Sequence, residues 1–107
     1  MYLQSISALC NQLLRSGTSI SANNAEAISA ISKADFRSKS YIALKEARES
    51  LSWLELLHLN NYLTDVEFQS LHDDCEETLN SQFSITRRVE FTTFRTRVFA
   101  HGMISQR

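Results

Sequence analysis

Ser32-Lys33-Ala34-Asp35 opens the stretch that decides the fold, SKADFRSKSYIALKEARESLSWLELLHLN, residues 32–60. Ser32 followed three residues later by Asp35 reads as a capping box, with Asp35 in the place of the usual Glu or Gln. Behind it Leu44, Ala47, Leu51, Leu54 and His58 recur at steps of three and four, the spacing of one helix face. Phe36, Ile42, Trp53 and Leu57 widen that apolar stripe, while Lys45, Arg48 and Glu49 lace the outer face with charge. From Lys33 to Asn60 such a helix is about 42 Å long at 1.5 Å per residue. Asn60-Asn61 ends it, because Asn best replaces glycine in a left-handed C-terminal cap.

Working outward, the segment from Leu3 to Ile31 carries a second seam. Ile6, Leu9, Leu13, Ser16, Ile20, Asn23, Ala27 and Ala30 follow the same alternation of three and four. Its second half is small and polar, and Gly17 inside a helix costs about 1 kcal/mol relative to Ala. Two readings stay open there: a patch that lets a neighbouring helix come close, or a break at Gly17-Thr18. On the other side, Thr64-Asp65-Val66-Glu67 is a further capping box, with Leu63 placed to staple onto Phe68. Asp65 and Glu67 lie in the first turn, where the helix dipole favours negative charge. Phe68, Leu71, Cys75, Leu79 and Phe83 continue an apolar face to about Val89. The short connections near 32 and 61–64 make consecutive helices antiparallel neighbours. The expected fold is all-α, an antiparallel up-down helical bundle over residues 1–90. Residues 91–107 form a basic C-terminal tail, helical through Phe91, Phe94 and Val98 or partly disordered.

Composition narrows the rest. The chain has 107 residues, two glycines and no proline, which disfavours turn-rich all-β folds. No apolar run reaches the roughly 20 residues that span a bilayer, and the start MYLQSISALC lacks a basic flank, so the expected location is the cytoplasm with no membrane partner. Cys10 and Cys75 are too few for a disulfide framework and read as reduced, small core residues. The net charge of −1 is unevenly spread: residues 41–80 hold Lys45 and Arg48 against nine acidic groups, whereas residues 81–107 hold five arginines against Glu90. Only the C-terminal segment offers the clustered basic footprint of a nucleic-acid contact, at Arg87, Arg88, Arg95 and Arg97.

Catalytic and metal motifs are weak. Glu55 and His58 form one Glu-x-x-His pair, but a di-iron bundle needs two such pairs and two more glutamates. His72, Cys75 and Glu76 share a helix face at zinc-compatible spacing, yet the set is incomplete. Both histidines read better as boundary residues of packed helices. There is no G-x-S-x-G and no phosphate-cradling glycine loop. The expectation is a protein that is not an enzyme, with no catalytic, cofactor-binding or metal residues.

The informative polar feature is a ladder on the first helix, Gln12, Arg15, Ser19, Asn23 and Glu26. A turn centred near Ser32 brings residue i beside residue 64 − i, so Arg15 approaches Glu49 and Glu26 approaches Arg37 or Lys39. Half-buried polar groups are costly unless paired, and their best-attested use is to fix register. Arg15, Ser19, Asn23, Glu26 and Glu49 are therefore expected to specify packing.

The stretch RSGTSISANNAEA, residues 15–27, resembles the R-S-A-T-S-I-G-A-N-I-A-E-A run of the bacterial four-helix bundle proteins, also called 23S ribosomal RNA intervening-sequence proteins. Ser32-Lys33-Ala34-Asp35-Phe36 resembles that family's S-K-x-D-F, and residues 42–49 with Trp53-Leu54 resemble its I-A-L-K-E-A-R-E…W-L helix. Tyr62-Leu63 and Cys75-Glu76-Glu77 match the following turn and last helix, so the likeness covers about residues 9–89. The resemblance implies a bacterial homo-oligomer, pentamers occurring among relatives, with no established enzymatic activity. A related branch, the accessory variability protein of diversity-generating retroelements, binds reverse transcriptase and nucleic acid. Three departures stand out. The family's first helix, before the region equivalent to Leu9, is expected to be missing, because only a handful of residues precede it here; Asn24 replaces an apolar residue; and the segment after Val89 carries no matching motif. The expected function is a non-enzymatic assembly module associated with intervening-sequence or mobile-element RNA. The alternative is a protein-binding scaffold whose partner docks on the apolar groove left by the absent helix.

Overall fold

The structure, a computed structural model, describes the backbone of residues 2–105 and the side chains of residues 5–88. Three helices account for it: α1 (Tyr2–Ile28), α2 (Lys33–Leu59) and α3 (Asp65–Ser105), with no strand among the described residues. None is long and apolar enough to cross a membrane.

Each helix end is made by the residues that the local chemistry requires. Ser32 is extended, at φ −153° and ψ 163°, and its hydroxyl accepts from the Asp35 amide at 3.1 Å. At the other end of α2 the chain turns through a Schellman motif. The Tyr62 amide donates to the Leu57 carbonyl and the Asn61 amide to that of His58, with Asn61 left-handed at φ 62°. Thr64 and Glu67 complete a reciprocal capping box: the Thr64 amide donates to Glu67 Oε1 at 3.0 Å and the Glu67 amide to Thr64 Oγ1 at 3.2 Å. The Thr64 backbone amide foremost, and the Thr64 side chain after it, hold the Glu67 carboxyl below the usual range. Phe68 stacks face to face on His58 with ring centroids 4.0 Å apart, which ties the start of α3 to the end of α2.

α2 is the central helix. α1 and α3 each pack along it, and among the described residues the backbones of α1 and α3 do not meet. The shared core is small: Ala27, Ala43, Leu44, Ala47, Leu54 and Leu57. Five polar residues are buried with it. Ser50 donates to Ser16 Oγ at 2.8 Å, and Ser16 in turn donates to the Leu13 carbonyl. Gln82 and Thr86 of α3 both donate to the Ser40 carbonyl of α2, at 3.2 and 3.3 Å. Hydroxyls and alanines at these crossings keep the side chains short where helices lie close.

Two sequence-based expectations change and two open readings close. α1 runs unbroken through Gly17, so the break at Gly17-Thr18 does not occur. Cys10 is exposed rather than a core residue, because it lies one step off the Leu9–Leu13 seam; Cys75 is half-buried. The buried stripe of α2 includes Leu57, as expected, but also Ser40 and Ser50, while Leu51 and His58 are only half-buried. Finally, α3 runs on past Val89 to Ser105, the helical one of the two readings of that stretch, since no proline interrupts it and its first glycine is Gly102. The behaviour of the final two residues lies outside the described residues.

The overhang follows from the register. Cys75 Sγ lies 3.8 Å from the Ala47 carbonyl and Gln82 bonds that of Ser40. Carried along the antiparallel pair, this brings Lys33, the first residue of α2, level with residue 89. Residues 90–105 then project as about 24 Å of helix beyond α2. The molecule is accordingly elongated, 69 × 24 × 18 Å.

Candidate functional site

Because α1 and α3 flank α2 without meeting, they leave an open groove between them. Ser50 and Leu54 of α2 contribute to its lining between the two outer helices. Leu14, Gly17 and Ile20 of α1 form one wall, and Leu71, Cys75 and Thr78 of α3 the other. This part encloses about 470 Å³, and the groove runs on past Asn24 and Glu77 to Ile85. Asp74 lines both parts. Leu14 is 66% exposed and Leu71 43% exposed, so large apolar side chains face outward along the groove. Burial pushes the Cys75 thiol above its usual range, with the nearby Glu76 charge acting in the same direction.

The polar ladder of α1 lies on another side. Arg15 reaches Glu46 at 3.3 Å and Glu49 more closely, while its Nε donates to Gln12 at 3.0 Å. The Arg15 guanidinium, by hydrogen bond first and charge second, holds the Glu49 carboxyl below the usual range. Glu26 pairs with Lys39 at 2.7 Å. The two ends of the ladder thus contact α2 at the positions that a turn near Ser32 implies. Asn23 instead donates to the Ser19 carbonyl of its own helix at 2.8 Å, and Ser19 is half-buried.

Among the described residues, His58 and His72 are spent at helix contacts. His58 Nε2 lies 2.8 Å from Asp65 Oδ1, not with Glu55, and His72 Nδ1 lies 3.8 Å from Glu76. His72, Asp73 and Glu76 bring ligand atoms within 4.8 Å of one another, but both carboxylates are exposed and Cys75 points elsewhere. Of the four arginines singled out for nucleic acid, Arg87 and Arg88 are exposed on α3. Arg95 and Arg97 belong to the overhanging part of α3, where side chains lie outside the described residues. Sequence reasoning missed the buried polar contacts Ser16–Ser50 and Gln82/Thr86–Ser40; the available signal was polar residues falling at seam spacing.

Comparison with known proteins now places the chain. Residues 3–82 match the profile of the 23S rRNA-intervening sequence protein family. The chain belongs to that family. A crystal structure from it, a protein of unknown function of the S23 ribosomal protein family from Bacteroides thetaiotaomicron VPI-5482, is 47% identical and superimposes with a TM-score of 0.71. The match covers 73% of this chain and 72% of that one. No curated protein matches. Family membership carries the helical frame over α1, α2 and the first half of α3; the overhang lies beyond the matched residues.

Proposed function

We propose that this chain is a non-enzymatic assembly module of the four-helix-bundle type. The observation that carries the reading is the groove: α1 and α3 occupy two corners beside α2, and the fourth corner is open and lined with leucine, isoleucine and glycine. In an up-down four-helix bundle that corner holds a helix touching both outer neighbours. Exposed apolar surface of this kind marks a contact site rather than a reaction centre. The module works in the cytoplasm as part of a homo-oligomer, for which the family resemblance offers a pentamer as one form.

The family's name ties its members to intervening sequences of 23S ribosomal RNA, and we extend that association to this chain. Arg87, Arg88, Arg95 and Arg97 supply the phosphate contacts, on a helix that carries its excess of positive charge past residue 81. Four such contacts give binding to an intervening-sequence stem–loop RNA a log–log salt slope of about −3. Alanine at all four arginines abolishes it. Filter binding across a salt series measures both effects; affinity indifferent to ionic strength, or retained by the four-alanine variant, refutes the RNA assignment. The apolar lining favours one second reading, a scaffold that binds only protein through the groove, and in that case partner capture survives the four alanines.

A further inference from the structure

Away from the groove, three side chains of α3 converge. His72, Asp73 and Glu76 each bring a ligand atom within 4.8 Å of the other two, and none of them lines the groove. The spacing H-D-x-x-E sets His72 and Glu76 one helical turn apart, with Asp73 beside them. His72 Nδ1 lies 3.8 Å from Glu76 Oε2, too far for a hydrogen bond. That separation is near the roughly 3.4 Å between two ligands of one tetrahedral metal bonded at about 2.1 Å. Two neighbours orient the set. Phe68 packs on the His72 ring at a centroid distance of 5.1 Å, and Gln69 Nε2 donates to Asp73 Oδ1 at 2.8 Å, leaving the second carboxylate oxygen to a ligand. The sequence offers Cys75 as the partner of His72 and Glu76; the structure turns its Sγ toward the Ala47 carbonyl and puts Asp73 in its place.

The surrounding charge favours a cation. Asp73, Asp74, Glu76 and Glu77 set four carboxylates within five residues. Among the described residues, no lysine or arginine forms an ion pair with any of them. Like charges three and four residues apart repel along a helix, and a bound divalent ion relieves that repulsion.

We propose that His72, Asp73 and Glu76 bind one divalent transition-metal ion of the zinc type. One imidazole nitrogen with two carboxylate oxygens suits zinc, whereas magnesium and calcium take oxygen ligands. Three protein ligands leave a fourth position to water. Both carboxylates are exposed, so drawing the three atoms onto one ion needs only rotation of free side chains. The ion clasps one turn of α3 beside Phe68, whose ring stacks on His58 of α2. The site is independent of the groove and of the arginines.

Isothermal titration calorimetry of the full chain with zinc chloride tests it. One Zn²⁺ binds per chain with a dissociation constant on the order of micromolar, and equimolar Mg²⁺ does not compete. His72→Ala and Glu76→Gln each weaken binding at least about tenfold. Glu77→Gln removes the same charge one residue on and changes affinity by less than about twofold. The Glu76 side chain is 54% exposed, so Glu76→Gln keeps the fold even where loss of the His72 ring disturbs Phe68. Affinity falls on acidification, because a proton competes with the metal for the imidazole nitrogen. Absence of binding up to millimolar zinc, equal affinity for Mg²⁺, or zinc binding that both ligand variants retain overturns the proposal. Each of these results leaves the assembly-module reading standing, since neither the groove nor RNA enters the measurement.

Discussion

Leu57→Ala is expected to lower the free energy of unfolding by about 2–5 kcal/mol, while Leu59→Ala two residues later changes it by less than about 0.5 kcal/mol. The two leucines share a helix and a chemistry and differ in surroundings. Leu57 is 3% exposed and belongs to the core, whereas Leu59 is 76% exposed. Removing three carbons at residue 57 forfeits their transfer from water and leaves a void that neighbours fill only in part. The core is short of large side chains, since alanines take three of its six apolar places, so each leucine carries a large share. Urea unfolding followed by circular dichroism gives both numbers, and an unchanged m-value shows that stability rather than compactness has moved.

Ala47→Leu is expected to destabilise by about 1–3 kcal/mol, the reverse error of adding volume where there is none. Ala47 is fully buried, and Cys75 Sγ sits 3.8 Å from its carbonyl. A leucine at that point pushes α3 off α2 or is forced from its preferred rotamers. Ala34→Leu on the exposed first turn of α2 is the matched control, with no measurable cost. Loss of stability at residue 34 equal to that at residue 47 would show that α3 does not pack where Cys75 and Gln82 place it.

Much of this architecture is legible in the residues. Ser32 and Asp35, Asn60 and Asn61, and Thr64 with Glu67 mark helix ends by hydrogen-bonding chemistry that acts over three or four residues, which is why those boundaries can be read without a fold. The antiparallel register is also legible: a short turn fixes which residues face, and Arg15 meets Glu49 as Glu26 meets Lys39. The depth of burial is not. α2 contacts helices on two sides, so its buried stripe is broader than one seam and admits Ser40 and Ser50, which hydrophobic spacing discounts. Sequence periodicity likewise leaves the reach of α3 open: Phe91, Phe94 and Val98 keep helical spacing, but residues 91–99 are rich in Thr and aromatic side chains that suit more than one conformation. The groove is the least legible feature. Leu13, Ile20 and Leu71 count as core residues by spacing, and only the separation of α1 from α3 turns them into a lining.

The account stands on a groove that the single chain leaves open and that we propose is its contact surface in an assembly. Cys75 lines that groove, and Cys10 lies exposed elsewhere on α1 as an internal reference. Alkylation of both thiols in the native full chain, followed by mass spectrometry over a dilution series, reads the groove directly. Cys75 is predicted to react faster as the protein is diluted through its dissociation range, while Cys10 keeps one rate throughout. A Cys75 rate that is the same at every concentration would contradict it.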